Sequence, residues 1–417
     1  MRLSTSNQFD AAIALLQSRQ QRLQETQQRL TSGKRIEQAS DDPTAAARAE
    51  RAQTTIGQAD ASQRALDASR NAMTLGEAAL GDAAELLQQV RETLVAAGNA
   101  SYTDAERKGL ADKIKGLRDQ VFAISNRNDG AGTYLFGGQG TDGPPFLSLP
   151  RHDASGAPMP DGGVRYVGTP GTISTGNLEN YPLSVDGRSV FEQTRTGNGS
   201  FVTAPEPNLI DPNIAQGGWI DSGRLIDPSK LTGHDYRIDI SGSAPTQTYA
   251  ITDLTSGTPV ALTDNTFKPG MTLSFDGMAM TIAGAPRDGE SYSVRPSSNE
   301  LRLFEVLDSA IDGLRTPQRT GAQVAQANHI ALRDLDAAMG GVQNMRAQLG
   351  EQLNALDGAE TRLSTLKFYS QSEKSAAEDL DMTQGISDFQ NQQNGYDVAL
   401  KTYAMVQRMT LFQYLNN

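Results

Sequence analysis

Apolar positions near both ends of the chain recur at helical spacing, whereas those in the middle alternate. Phe9, Ile13, Leu16, Gln20, Leu23, Gln27 and Leu30 follow one another at intervals of four and three. That rhythm lays them on one stripe of a helix, with two glutamines interrupting it. Ser6 or Asn7 is suited to cap the start, and Thr31-Ser32-Gly33 to end it, with Gly33 just past the last turn. Ser40-Asp41-Asp42-Pro43 then opens a second helix, because a short polar cap followed by proline fits a first turn. Along it Ala52, Ala59, Leu66, Met73, Leu80, Leu87 and Leu94 recur every seven residues, with Ala83, Val90 and Ala97 as companions, up to a stop at Gly98-Asn99. At about 1.5 Å per residue such a helix is roughly 75–80 Å long. Leu110, Ile114, Leu117, Val121 and Ile124 mark a third.

The pattern changes from about residue 129 to 299. Gly, Pro, Asp, Ser and Thr dominate, and short alternating runs predict strands at Tyr236–Ile240, Tyr249–Thr252, Met271–Phe275, Met278–Ile282 and Tyr292–Val294. Asp276-Gly277 between two of these runs is a hairpin signal. Helical spacing then returns in Phe304, Leu307, Ile311 and Leu314. A longer stripe follows: Ala331, Leu335, Ala338, Val342, Met345, Leu349, Gln352, Leu356, Ala359, Leu363 and Leu366. The last stripe holds Ile386, Phe389, Tyr396, Leu400, Tyr403, Val406, Met409 and Phe412, with Leu411, Tyr414 and Leu415 beside it.

Proline sharpens this division. Fourteen of the eighteen prolines lie between Pro150 and Pro296, and residues 44–143 and 318–417 have none. Since proline breaks helix interiors, the chain reads as helical, irregular, then helical again. The expected fold is α+β: a long discontinuous α-helical bundle or coiled-coil rod from both termini, carrying a β-rich inserted domain. The expected division is terminal helices at 1–42 and 380–417, a helical rod at 43–145 and 300–379, and a β-rich outer domain at 146–299. The terminal segments, with their interrupted seams, are expected to be disordered in the monomer and to order on assembly.

Composition narrows the chemistry. The 417 residues carry a formal charge of −12, so no basic footprint for nucleic acid is available. The absence of cysteine removes disulfides, thiolate catalysis and Cys-type metal sites. No stretch is long and apolar enough to span a bilayer, and the first residues lack the apolar core of a cleavable secretion signal. His152, His234 and His329 have no metal-ligand spacing. Gly137-Gly138-Gln139-Gly140 lacks the lysine and strand–helix context of a phosphate loop. Asp41-Asp42 reads as capping and turn chemistry rather than an acid–base pair. These features point to no catalytic site, no cofactor and no metal.

Several motifs are more specific. Arg29-Leu30-Thr31-Ser32-Gly33-Lys34-Arg35-Ile36 followed by Ala39-Ser40-Asp41-Asp42-Pro43 resembles the N-terminal signature of bacterial flagellins and their hook-associated relatives. Tyr134-Leu135-Phe136-Gly137-Gly138, Arg346-Ala347-Gln348-Leu349-Gly350, Glu378-Asp379-Leu380-Asp381-Met382-Thr383 and Met409–Leu415 are similar to later parts of the same family. The resemblance covers roughly 1–146 and 300–417. It implies a non-enzymatic subunit of the bacterial flagellum, exported through a type III pathway, extracellular, and placed where hook meets filament. Implied partners are flagellin, another hook-associated junction protein, further copies of the chain in a ring or helical layer, and an export chaperone. Nucleic acid and membrane are not among them. The resemblance also implies that Phe9, Ile13, Leu16, Leu23, Leu30, Ile386, Phe389, Tyr396, Leu400, Tyr403, Val406, Met409, Leu411, Phe412 and Leu415 form the assembly surface, and that Gly33, Arg35, Asp41, Asp42 and Pro43 form a signature turn. A filament flagellin and a glycan-binding surface module are the competing readings.

Overall fold

The computed structural model describes residues 5–99, 101–140, 142–151, 159, 162–176 and 180–415, and within these the side chains from 10 to 405. His152 lies outside the described residues. The chain divides into two compact units, one of residues 1–64 with 358–417 and one of residues 65–357. Helix α1 spans Thr5–Ser32, α2 Pro43–Ala97 and α3 Asp104–Ser125. After the β region come α5 (Leu303–Arg315), α6 (Gly321–Glu378) and α7 (Met382–Leu415), while α4 is one short turn at Gly187–Phe191. The division between units falls within α2 and α6.

Local chemistry sets most helix ends. α2 begins at Pro43 behind an Asp42 carboxylate that accepts from the Ala45 amide at 3.1 Å. α3 opens with a reciprocal Thr103–Glu106 capping box. α6 opens with a second box: Thr320 Oγ1 accepts from the Gln323 amide at 3.2 Å, and Gln323 Oε1 accepts from the Thr320 amide at 2.9 Å. Neither box figured in the sequence expectations, although Thr-x-x-Glu and Thr-x-x-Gln are legible patterns. Ser6 and Asn7 do not cap α1, which is already helical at Thr5.

In the unit of residues 65–357 the α2 seam is complete. Leu66, Met73, Leu80, Leu87 and Leu94 are buried, and so is the companion series Ser69, Gly76, Ala83, Val90 and Ala97. Both apolar positions of each heptad are therefore covered. α6 supplies Leu335, Ala338, Val342, Leu349 and Leu356 to the buried set. Arg346 donates to Glu77 at 2.6 Å and Arg91 to Asp336 at 2.7 Å, pairing α2 and α6 as antiparallel neighbours. Such part-exposed ion pairs add little stability, but they fix register.

A ring cluster joins α3 and α5 to the segment between them. Phe146 lies 5.4 Å from Phe191 and 5.9 Å from Phe304, and Phe122 meets Phe304 edge-on at 6.0 Å. The Arg118 guanidinium stands 5.7 Å above the Phe304 ring and donates to Asp308 at 3.1 Å. Phe146 begins strand β1 (Phe146–Leu149), which pairs antiparallel with β2 (Gly163–Tyr166). That hairpin thus rests on the helices, and the strands between 146 and 299 do not form one body.

The main β body begins at β3 (Phe201–Glu206) and continues through β4 (Gly218–Ile220), β5 (Arg224–Leu225), β6 (Tyr236–Ser241), β7 (Thr248–Asp253), β8 (Thr258–Pro259), β9 (Thr272–Phe275), β10 (Met278–Gly284) and β11 (Ser291–Pro296). One antiparallel sheet has the order β3-β11-β6-β7-β8, and the other β4-β10-β5 with β9 also on β10. Their inner faces share a core that includes Phe201, Ile238, Ile251, Met280, Ile282 and Tyr292. The β9–β10 turn carries Asp276 and Gly277 at φ +49° and +73°, the left-handed pair that a two-residue hairpin requires. Strands β1 to β5 and β8 were not anticipated. Most are too short to show alternation, and β3 holds Ala204-Pro205 in its second half.

Truncating Phe304 to Ala should remove about 3–5 kcal/mol of stability, because the fully buried ring closes three aromatic contacts. Urea denaturation followed by circular dichroism measures this; a loss below about 1 kcal/mol would contradict the packing described.

Candidate assembly surface

The unit formed by both termini is built around the turn between α1 and α2. Gly33, at φ +69°, returns its amide to the Arg29 carbonyl at 2.9 Å and ends α1 as a left-handed cap. The next residues pair with the chain between α6 and α7: the Arg35 amide donates to Glu378 O at 2.8 Å, and the Leu380 amide to Gly33 O at 2.9 Å. Arg35 Nη2 donates to Ala377 O at 2.8 Å, satisfying a carbonyl at the end of α6, while its Nη1 faces Asp42 at 3.4 Å. The Asp41 carboxylate accepts from the amides of Glu37 and Gln38 at 3.0 and 3.1 Å. Lys34 forms an ion pair with Glu378, which raises the lysine pKa.

These bonds displace the carboxyl groups from their ordinary titration range. The Gln38 and Glu37 amides hold Asp41 below it. The Ala45 amide, then the Thr44 hydroxyl and Arg35, do the same for Asp42. The pair acts structurally, tying the α1–α2 turn and capping α2.

α1 and α7 pack on each other within one chain. Leu30 lies against Gly385 and the Arg19 guanidinium against Gly395, so the two helices run antiparallel. Only one position per heptad is covered. On α1 it is the series Leu16, Leu23 and Leu30, half-buried, while Ile13, Gln20 and Gln27 are exposed. On α7 it is Phe389, Tyr396 and Tyr403, half-buried, while Ile386, Gln393 and Leu400 are exposed. Among the described side chains of these two helices no large apolar residue is fully buried. The side chains of Phe9, Val406, Met409, Leu411, Phe412 and Leu415 lie outside the described ones.

Other apolar side chains add to the exposed set without having been anticipated. Leu15, Val398 and Met405 fall off the sequence stripes and stand in solvent. On α6, Leu366 is exposed rather than core, and the adjoining Phe368 and Tyr369 are 68% and 67% exposed, ring against ring at 6.0 Å. The signal available was their position, just beyond the last leucines of the α6 stripe. In contrast, the large apolar residues fully buried in this unit are Ile36 and Ile56; the rest of its buried apolar set is alanine.

A family model described as the bacterial flagellin N-terminal helical region matches residues 3–141. The chain is 24% identical to flagellar hook-associated protein 3 of Escherichia coli over 99% of both sequences. The chain belongs to the flagellin family. A second family model, described as a flagellar hook-associated protein 1 D2-like domain, matches residues 215–296, most of the main β body. Among solved structures, hook-associated protein 3 of Legionella pneumophila superposes with a TM-score of 0.67 at 23% identity, covering 78% of this chain and 97% of that one. FlgL of Xanthomonas campestris gives 0.66 at 24% identity, covering 78% and 99%. At these identities the structural likeness speaks to the fold, and it spans helices and β body alike.

The Asp42 cap gives this family turn a definite pH response. Its folded pKa is depressed, so the carboxylate favours the fold above its unfolded value, and that contribution disappears as pH falls below about 4. Exchange protection of the Ala45 amide should therefore weaken in acid in the native protein. In Asp42→Asn, which keeps a capping oxygen without a titrating charge, protection should be insensitive to pH over the same range once intrinsic exchange is corrected. Identical pH profiles for the two proteins would refute the assignment.

Proposed function

We propose that this chain is a structural subunit of the bacterial flagellum that joins the hook to the flagellin filament. The observation that carries the reading is the half-sealed heptad pairing of α1 and α7, whose uncovered positions are apolar at Ile13, Ile386 and Leu400. An exposed apolar strip of this kind is costly on an isolated subunit and is satisfied by burial against neighbours. The full-length similarity to hook-associated protein 3 supports the junction as the place where that burial occurs.

In this reading the termini gain their remaining cover from neighbouring copies of the chain, from flagellin on one side and from another hook-associated protein on the other. Two unlike axial faces make the subunit an adaptor. The pairing seen within one chain is thin, so it orders fully only when the lattice supplies the second seam position. The subunit is exported by the flagellar type III pathway, works outside the cell and carries out no catalysis.

Deleting the gene should leave intact hooks without filaments and release flagellin into the medium. Normal filaments on such cells would overturn the junction role.

Substituting Val398 and Leu400 together by Asp tests the mechanism. Both side chains are exposed in the free chain, so monomer stability should change by no more than about 1 kcal/mol in total. Restoration of swimming to the deletion strain should nevertheless be lost. Full motility with the doubly substituted protein would show that this face stays uncovered in the organelle.

A further inference from the structure

We infer that Gln326 is the positioning residue that seats the main β body on α6, by standing in for a missing β-strand. β4 lies at the edge of its sheet: β10 pairs with one side, through Trp219↔Ala283 and the Asp221 amide bonded to Thr281 O at 3.0 Å. The Ile220 amide and carbonyl point the other way, off the sheet. Gln326 meets both. Its Oε1 accepts from Ile220 N at 2.8 Å, and its Nε2 donates to Ile220 O at 3.2 Å. This reproduces the two-bond ring that a neighbouring antiparallel strand would make. Gln326 and Ile220 are 3% and 1% exposed, so water cannot substitute for either bond.

The contacts around it have the same character. Thr320 Oγ1 donates to Gln216 O at 2.9 Å, and Arg333 Nη1 donates to Thr203 O at 2.7 Å. Positions 320, 326 and 333 recur at six and seven residues, which keeps them on one face of α6. Between them His329 stacks on Trp219 at 4.4 Å. All three polar contacts address main-chain atoms of the β body, so the seat tolerates changes of side chain there provided the edge strand stays in place. Only glutamine offers a donor, an acceptor and this reach together. Asparagine is one methylene short, ionised glutamate has no donor, and methionine has neither group.

Trp219 is the sole tryptophan of the chain and reports the joint directly. In the full-length protein, Gln326→Met, matched in volume, should raise the exchange rate of the Ile220 amide about tenfold or more and alter Trp219 emission, while amides within α2 keep their protection. Gln326→Glu provides a second, separable arm. At neutral pH it should behave like the Met variant. On acidification its protonated carboxyl regains one donor and one acceptor, and Ile220 protection, corrected for intrinsic exchange, should rise toward the native value measured at the same pH. Native-like protection of Ile220 in the Met variant, or no recovery of the Glu variant in acid, would overturn the assignment.

Discussion

A helix that pairs along a heptad seam offers two apolar positions in every seven, and the structure depends on how many of them are covered. In the unit of residues 65–357 α2 buries both series, from Leu66 to Leu94 and from Ser69 to Ala97. In the terminal unit α1 and α7 cover one series between them and leave the other in solvent. Burial of apolar area drives folding in the first case, whereas in the second it is reserved for association. A self-sufficient body and an incomplete one thus follow from the same periodicity.

The polar features serve this arrangement. At the α1–α2 turn, Arg35, Asp41 and Asp42 occupy main-chain groups that two helix ends would otherwise leave unpaired. In the β body, Gln326 treats an exposed sheet edge in the same way, filling the hydrogen-bonding positions of a strand that does not exist. In both places a side chain with the right donors and acceptors replaces missing secondary structure, which lets elements meet where neither helix nor sheet can continue.

Much of the fold was legible in sequence because helices and hairpins are local. Seven-residue recurrence marked α2 and α6, a short polar cap with proline marked the start of α2, and Asp276-Gly277 marked the β9–β10 hairpin. The misses have local causes too. Strands of two to four residues such as β4, β5 and β8 are too short for alternation to register. The β1–β2 hairpin was grouped with the β body because composition changes near residue 146, whereas Phe146 packs with Phe191 and Phe304 among the helices. Nothing in the spacing of Phe122, Phe136, Phe146, Phe191 and Phe304 announces that they meet.

What the sequence alone determined was periodicity, cap chemistry and the likeness to flagellins, because each is written in residues within a few turns of one another. It also marked the terminal stripes as apolar. Only the tertiary structure decided which half of each stripe is covered, since that depends on the rotation of α1 and α7 about their axes as they pack. It likewise revealed Phe368 and Tyr369 as exposed and Gln326 as buried against Ile220. Those three facts turn on the three-dimensional neighbours of a side chain, which sequence periodicity does not contain.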